Sequence, residues 1–376
     1  MVNLLLSSFS EILSGIGYVL LAILILLIMI TVHEFGHYIA GKIFGFGIDE
    51  FAIGFGPKIF SKTKKNNEVF SIRLLPIGGF CAFRGEDEES SDPTAFNNKP
   101  WWQRIIVLIS GALMNYLLAL LIIILMFSIY GTTALVAYKT TPTTDSIYTI
   151  ENSFVDRDIL IRANGKNIYL TTDLMDAIEN KKAGDIVEFI IIRDGQEKTL
   201  NLMLREDTSF ANVEDNVTLF NALGIYYEND LETNEIKDSG LYLTGIRLGV
   251  FQTLGRSFEY SFKLAGSIFT ILGQLLTGVL GIKSLGGTVT TISVTANAIQ
   301  VGGFRNFLNI ASFIGVNLAV FNLLPIPALD GCRVIFTLIE GITKKPVNRK
   351  VEGIIHMVGL VALLLFAVFV DLQQCF

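Results

Sequence analysis

Residues Met29 to Gly47 read MITVHEFGHYIAGKIFGFG and stand at the end of a long apolar run. This stretch places His33, Glu34 and His37 within one turn of a predicted helix, where lipid is expected. Ionisable side chains are costly inside a bilayer, so their presence there indicates a functional site. The plainer interpretation is two histidines that pack between helices beside a glutamate that reaches toward the membrane surface. The membrane context disfavours it.

The composition of the whole chain indicates a membrane protein. Its 376 residues are 51% hydrophobic and 17% charged, and the mean hydropathy is +0.54. A bilayer core of about 30 Å requires about 20 apolar residues of helix. The candidate spans cover about residues 12–42, 105–130, 305–324 and 353–370. We therefore predict a polytopic α-helical membrane protein with about four transmembrane helices.

Basic residues predict how these spans are oriented. No Lys or Arg precedes Lys42, which also argues against a cleavable signal peptide at the start of the chain. Basic side chains follow the first span and lie between the last two, namely Lys58, Lys62, Lys64, Lys65, Lys344, Lys345, Arg349 and Lys350. Loops rich in Lys and Arg remain in the cytoplasm. Both termini and the segment 132–239 are therefore expected outside the cell.

The chain divides into three predicted parts. Residues 1–131 form a first membrane half, in which alternation over 58–80 predicts a β-hairpin on the cytoplasmic side. Residues 132–239 form an extracytoplasmic α+β domain, with its core at about 139–207, and a linker. Residues 240–376 form a second membrane half that begins with an interfacial helix.

Composition also excludes some partners and leaves others open. No basic patch indicates nucleic-acid binding, and the formal net charge is −6. The three cysteines lack the spacing of a disulfide framework or of a cysteine-based zinc site. Lipid is the expected surrounding of the spans, and the sequence does not specify an oligomeric state.

The residues from His33 to His37 match the H-E-x-x-H pattern of zinc peptidases. Residues four apart lie on one face of a helix, so that both imidazoles can bind a single metal ion. Glu34, beside them, can act as a general base toward water. The pattern predicts a catalytic metal site at the membrane.

A catalytic zinc ion normally has three protein ligands, so a third residue is required. His356 and Asp330 are the ionisable candidates at membrane depth. Pro325 and Pro327 break the helix before Asp330, and a broken helix lining a cavity could direct that carboxylate at the first span. This favours Asp330 and leaves His356, in the middle of the last span, as the alternative.

Three segments resemble the site-2 protease family of intramembrane zinc metalloproteases, in particular its bacterial RseP-type branch. They read HEFGH, GFGPKIF with FSIRLLPIGGF, and FNLLPIPALDG, in the order that the family has them. The resemblance extends over nearly the whole chain. It implies a membrane-associated β-hairpin and an inserted extracytoplasmic α+β PDZ-like domain. It further implies a location in the bacterial inner or plasma membrane, with the active site near the cytoplasmic side.

The resemblance also implies roles for particular residues. One zinc ion per chain would be bound by His33, His37 and Asp330, with Glu34 as the general base. The substrate would be bound by four further residues, Asn322, Gly78, Gly79 and Phe80. Substrates of this family are transmembrane segments of single-span proteins, cut in regulated intramembrane proteolysis; anti-sigma factors and signal-peptide remnants are examples.

A metal or proton transporter is the alternative function for the same side chains. A transporter would be expected to carry ionisable residues along several spans. Here they concentrate in one cluster, and the stretch from Gly111 to Tyr130 contains none. The distribution therefore favours a peptidase.

Overall fold

The structure is a computed structural model that describes residues 2–86, 88, 90–138, 153–209, 216–225, 240–278, 281 and 287–375. The chain forms two compact units. One comprises Met1–Met126 with Ser257–Phe376, and the other comprises Phe127–Arg256. The first part of the predicted domain core, 139–152, and two stretches of the region predicted to follow that core, 210–215 and 226–239, lie outside the described residues.

The helices and strands follow in chain order. They are α1 (Val2–Ile43), β1 (Ile48–Thr63), β2 (Val69–Phe83), a short 3-10 helix (Phe96–Asn98), α2 (Trp101–Tyr130), β3 (Thr132–Tyr138), β4 (Ile159–Ala163), β5 (Lys166–Asn167), α3 (Thr171–Ile178), β6 (Ile186–Arg193), β7 (Gln196–Met203), α4 (Asn216–Leu223), β8 (Gly240–Ile246), α5 (Val250–Leu276), α6 (Thr288–Asn322), α7 (Asp330–Thr343) and α8 (Arg349–Cys375).

Within the described residues, four helices are long and apolar enough to cross a bilayer. They are Gly15–Ile43, Trp101–Tyr130, Thr290–Asn322 and Arg349–Gln373. The prediction of about four membrane helices is confirmed. The third candidate span begins at Thr290 instead of near residue 305, because the helix continues through Gly303 with a kink (φ +58°).

The membrane-associated hairpin is larger than the predicted range of 58–80. β1 and β2 are antiparallel, and Ala52 in β1 lies opposite both Ser71 and Phe80 in β2. Each strand therefore bends into two short segments, 50–53 and 58–63 from β1 and 69–73 and 79–83 from β2. Side by side in the sheet, these segments lie in the order 58–63, 69–73, 50–53 and 79–83. Gly54 and Gly78, with φ of +87° and +110°, make the bends that allow this. These bends interrupt the strand alternation, which is why the sequence pattern shows only part of the sheet.

The turn of the hairpin is attached to the end of α1 through Glu68, which is 1% exposed. Its carboxylate forms an ion pair with Lys42 and accepts hydrogen bonds from Lys64 Nζ (2.7 Å) and the Tyr38 hydroxyl (2.9 Å). Burial raises the pKa of Glu68, but the hydrogen bonds from Lys42, Lys64, Tyr38 and Asn66 outweigh it and lower that pKa to about 2. The carboxylate is therefore charged at neutral pH. Its contribution to stability is present above the ordinary pKa of 4.5 and is lost as the pH falls toward 2.

The unit from Phe127 to Arg256 is built on an antiparallel sheet with the strand order β7-β6-β4-β3-β8 and with β5 beside β4. Its buried core includes Leu160, Phe189 and Leu174, the last from α3. β8 pairs with β3 from Gly240 to Ile246. Residues 240–246, placed by sequence in the second membrane half, therefore belong to this sheet.

An ion pair with little exposure joins α2, α7 and the start of α8. Arg104 contacts Glu340, and their side chains are 5% and 7% exposed. Glu340 also accepts from Arg349 Nη2 at 2.6 Å and from the Val347 backbone N–H at 2.9 Å. α7 begins at Asp330, so the contacts of Glu340 hold in place the helix that carries the Asp330 carboxylate.

Glu340→Ala is expected to destabilise the protein by about 3–5 kcal/mol, because Arg104 would retain a buried charge without its partner. The measurement is denaturant unfolding of the purified protein in detergent. Glu352→Ala is the matched control, since Glu352 also pairs with Arg349 (2.8 Å) but is the more exposed of the two carboxylates, at 15%. An equal decrease in the free energy of unfolding of Glu340→Ala and Glu352→Ala would contradict the expectation.

Candidate metal centre

The two histidines of the HEFGH stretch face α2 from the same side of α1. His33 and His37 are 8% and 7% exposed, and their Nε2 atoms lie 3.1 Å apart. His37 Nδ1 lies 2.7 Å from the backbone carbonyl oxygen of Val107 on α2. A carbonyl only accepts, so Nδ1 carries the proton and Nε2 presents a lone pair. His37 is therefore held in the tautomer that a metal ligand requires.

Asp330, the first residue of α7, brings a carboxylate to these imidazoles. Its Oδ2 lies 3.0 Å from His33 Nε2 and 3.4 Å from His37 Nε2. The segment between α6 and α7 is packed tightly, because a Cβ on Gly331 would overlap the carbonyl oxygen of Leu323. The break predicted at the two prolines therefore places Asp330 beside the first helix.

The spacing of the three ligand atoms fits zinc. Nitrogen and oxygen ligands lie about 2.0–2.1 Å from a tetrahedral zinc ion, which puts any two of them about 3.3 Å apart. The measured separations are 3.0, 3.1 and 3.4 Å. Among the residues that the structure describes, His33, His37 and Asp330 form the group of three close enough to share a metal. Three protein ligands leave a fourth position open, as in catalytic zinc sites.

Glu34 stands beside this group without belonging to it. The backbone N–H of Cys81 on β2 lies near its carboxylate. A Cβ on Gly79 would lie 3.5 Å from Glu34 Cγ. The edge segment 79–83 of the hairpin thus runs directly past this glutamate. A carboxylate next to the ligands but outside the group is available to accept a proton from water.

The residues predicted to bind substrate divide into two groups. Asn322, at the end of α6, and Gly79 lie at the metal site, since Asn322 Nδ2 is 3.3 Å from His33 Nδ1. Gly78 lies under the Phe55 ring, where any side chain would overlap it. Phe80 stacks on the same Phe55 ring, with a centroid separation of 6.3 Å. Gly78 and Phe80 therefore contribute to the packing of the hairpin around Phe55.

One face of α2 completes the site, and the sequence patterns described above assign no role to Val107 or Gly111 on it. Val107, Gly111 and Asn115 are four residues apart and share this face. A Cβ on Gly111 would overlap His37 Nε2 and lie 2.8 Å from His33 Cε1. On α1, a Cβ on Gly36 would overlap the carbonyl oxygen of Ser110. The signal was present in the sequence as small and polar residues at helical spacing within SGALMN.

Two asparagine amides flank the outer nitrogen of His33. Asn115 is fully buried, and its Nδ2 lies 3.5 Å from His33 Nδ1, close to the amide of Asn322. With Nε2 directed at a metal, Nδ1 carries the proton and needs an acceptor. If either side-chain amide is rotated by 180°, its oxygen takes the place of Nδ2 and can accept the hydrogen bond from His33 Nδ1. Asn115 Oδ1 has no hydrogen-bond partner among the described residues, so this rotation satisfies it as well.

His356, the alternative third ligand, occupies a different place. Its Nδ1 accepts the backbone N–H of Ala328 at 3.1 Å, and it is not part of the group around His33. The geometry therefore supports Asp330 over His356 as the candidate third ligand.

Comparison with known proteins identifies the family. The family model for Peptidase family M50 matches residues 21–366. A candidate zinc metalloprotease of Clostridium perfringens is 32% identical over 360 residues, covering 95% of this chain and 98% of the relative. The zinc metalloprotease RasP of Bacillus licheniformis is 28% identical, covering 94% and 98%. The regulator of sigma-W protease RasP of Bacillus subtilis is 26% identical, covering 93% and 96%.

The candidate spans and the family match define a multi-pass membrane metalloprotease. The chain belongs to Peptidase family M50, the site-2 protease family. The predicted resemblance is confirmed, and so is the prediction of an enzyme. The names of the relatives agree with the prediction of zinc as the cofactor. Family membership favours the peptidase over the transporter.

Proposed function

We propose that this protein is a zinc-dependent intramembrane endopeptidase that cuts transmembrane segments of single-span membrane proteins. The observation that carries the proposal is the group of His33, His37 and Asp330, whose first two members lie on a helix long and apolar enough to cross a bilayer. Regulated intramembrane proteolysis is the proposed context, with anti-sigma factors or signal-peptide remnants as substrates. The relative named regulator of sigma-W protease supports this choice.

The proposed roles follow from the position of each side chain. His33, His37 and Asp330 would hold one zinc ion, and a zinc ion bound there would supply Lewis-acid chemistry to the attacking water and the scissile carbonyl. Glu34 takes the proton of the attacking water and passes it to the leaving amine. Asn322 holds the substrate backbone near the reacting carbonyl, a role that its place beside His33 supports.

A transmembrane helix keeps its carbonyl groups in internal hydrogen bonds, so the cut segment must unwind. The segment 79–83 lies at one edge of the four-segment sheet and pairs with β1 on one side. An extended substrate added along its other edge replaces the lost hydrogen bonds by β-augmentation. Because Gly79 lies beside Glu34, this edge is close to the general base.

The proposed setting is the inner or plasma membrane of a bacterium. Both termini lie outside, and the metal site lies near the cytoplasmic side, a placement that the Lys-rich turn beside Glu68 supports. The unit from Phe127 to Arg256 is proposed to be the extracytoplasmic PDZ-like domain that regulates access of substrates.

Glu34→Gln tests the proposal, because it removes the base and keeps the ligands. We expect about one zinc ion per chain in both the wild type and the variant, and cleavage of a model single-span substrate lowered by about 10²–10⁴-fold in the variant. Glu188→Gln, on the exposed side of β6, is the matched control and should cleave like the wild type. Undiminished cleavage by Glu34→Gln, or purified wild type that binds no zinc, would overturn the proposal.

A further inference from the structure

The segment between α6 and α7 contains a turn whose conformation is unfavourable for its sequence. The backbone N–H of Leu329 donates to the carbonyl oxygen of Ile326 at 3.1 Å, which closes a four-residue turn with Pro327 and Ala328 at its centre. Ala328 has a φ of +82°. A proline followed by a residue with positive φ is the pattern of a type II turn, in which the second central position favours glycine. Ala328 therefore needs support from its surroundings.

α8 supplies that support with two residues on one face of the helix. His356 Nδ1 accepts the backbone N–H of Ala328 at 3.1 Å. Gly359 lies three residues further along α8, and a Cβ there would overlap the Cβ of Pro327. The imidazole of His356 is itself packed edge-to-face against Phe336, with the ring centroids 6.0 Å apart. Both central residues of the turn, Pro327 and Ala328, therefore pack directly against α8.

The turn leads directly into the candidate metal ligand. Leu329 is the N-cap of α7 and Asp330 is its first residue. A change in the backbone at Ala328 therefore moves the Asp330 carboxylate relative to the two imidazoles, which now lie 3.0 and 3.4 Å from it. Ligand atoms of a zinc site tolerate little displacement from their tetrahedral positions.

We propose that His356 is a positioning residue of the metal centre, which holds Ala328 in its positive-φ conformation and thereby keeps Asp330 in place to bind zinc. This inference rests on the proposed function, since it takes Asp330 as a zinc ligand. It explains why a span otherwise rich in leucine and valine carries an imidazole: an apolar side chain can fill the space but cannot accept the Ala328 N–H.

The test compares two replacements of His356 by zinc affinity. His356→Asn places an amide oxygen where Nδ1 stands and keeps an acceptor, whereas His356→Leu fills the site without one. Zinc affinity is measured by chelator competition on the purified full-length apoprotein, with thermal unfolding recorded in parallel. We expect affinity to fall by about 10–100-fold in His356→Leu and by less than about threefold in His356→Asn.

A second replacement examines the proposed route through Ala328. Glycine adopts positive φ without steric cost, so Ala328→Gly in the His356→Leu background should restore most of the lost zinc affinity. The same change in the wild-type background should have little effect, and the double-mutant cycle then shows coupling between the two positions. A general loss of helix packing on removal of His356 does not predict this recovery.

The outcomes separate this inference from the function on which it rests. A wild-type protein that binds no zinc overturns both. Equal zinc affinity in the wild type and His356→Leu overturns the inference alone. So does an equally large loss in His356→Asn, because an acceptor at this position would then not be what holds the site, and so does a failure of Ala328→Gly to restore affinity.

Discussion

Gly111→Ala should lower the zinc affinity of the protein by more than about 100-fold, beyond the 10- to 100-fold that outer-shell changes typically cost. The added methyl group would overlap His37 Nε2 and lie 2.8 Å from His33 Cε1. Gly111 is on α2, and the backbone of α2 cannot withdraw, because Val107 on the same face holds His37 Nδ1 at 2.7 Å. The expected measurement is zinc content and chelator-competed affinity of the purified variant, with cleavage lost in proportion.

Gly17→Ala is the matched control for this result. Gly17 also lies in a candidate membrane helix, but nothing approaches within 4 Å of a Cβ placed there. This variant should bind zinc and cleave substrate like the wild type. Normal zinc affinity in Gly111→Ala would show that the approach of α2 to the imidazoles is not as close as the structure describes.

Cys81→Pro should lower cleavage by about 10²-fold or more while zinc remains bound. Proline has no backbone N–H, so this change removes the N–H that lies near the Glu34 carboxylate and can orient it. A general base that loses its orientation loses much of the 10²–10⁴-fold that such groups contribute. The segment 79–83 pairs with β1 on one side only, and proline is tolerated on an edge strand of this kind.

Cys81→Ala distinguishes the effect of losing the backbone N–H from the effect of losing the thiol. It keeps the N–H and is expected to cleave at close to the wild-type rate, since burial raises the pKa of the Cys81 thiol and leaves it unreactive. Zinc content and thermal unfolding of both variants establish that the hairpin is still folded. Full activity in Cys81→Pro would contradict both the contact with Glu34 and the proposed role of the strand edge.

The grouping of His33, His37 and Asp330, with Glu34 beside it, could be predicted from the sequence because local rules determine it. The spacing of His33 and His37 follows from helix geometry, and an ionisable residue after a proline-broken helix is rare enough to single out Asp330. The candidate spans follow from hydropathy alone, since apolar length is what a bilayer requires. These features need no knowledge of which elements touch.

The remaining features depend on contacts between elements far apart in the chain. Gly111 is unremarkable in sequence until α2 lies against α1, and the Val107 carbonyl carries no sequence signal at all. The hairpin was predicted too short because its bends at Gly54 and Gly78 break the strand alternation. His356 stands out in the sequence as an imidazole within a span, but such an imidazole can accept a backbone N–H as well as bind a metal, and periodicity does not distinguish these roles.

The close approach of α1 to α2 at Gly36 and Gly111 determines which residues of the two helices can be substituted without disturbing the candidate metal site. At Gly36 the main chain of α1 lies directly against the Ser110 carbonyl, and at Gly111 the main chain of α2 lies against the imidazoles of His37 and His33. The outward-facing apolar residues of α1 and α2, such as Leu24 and Leu117, take no part in these contacts and can be exchanged for other apolar residues without moving the candidate ligands. The geometry of the candidate metal site therefore does not depend on the lipid-facing side chains. Those side chains can vary to match bilayers of different thickness.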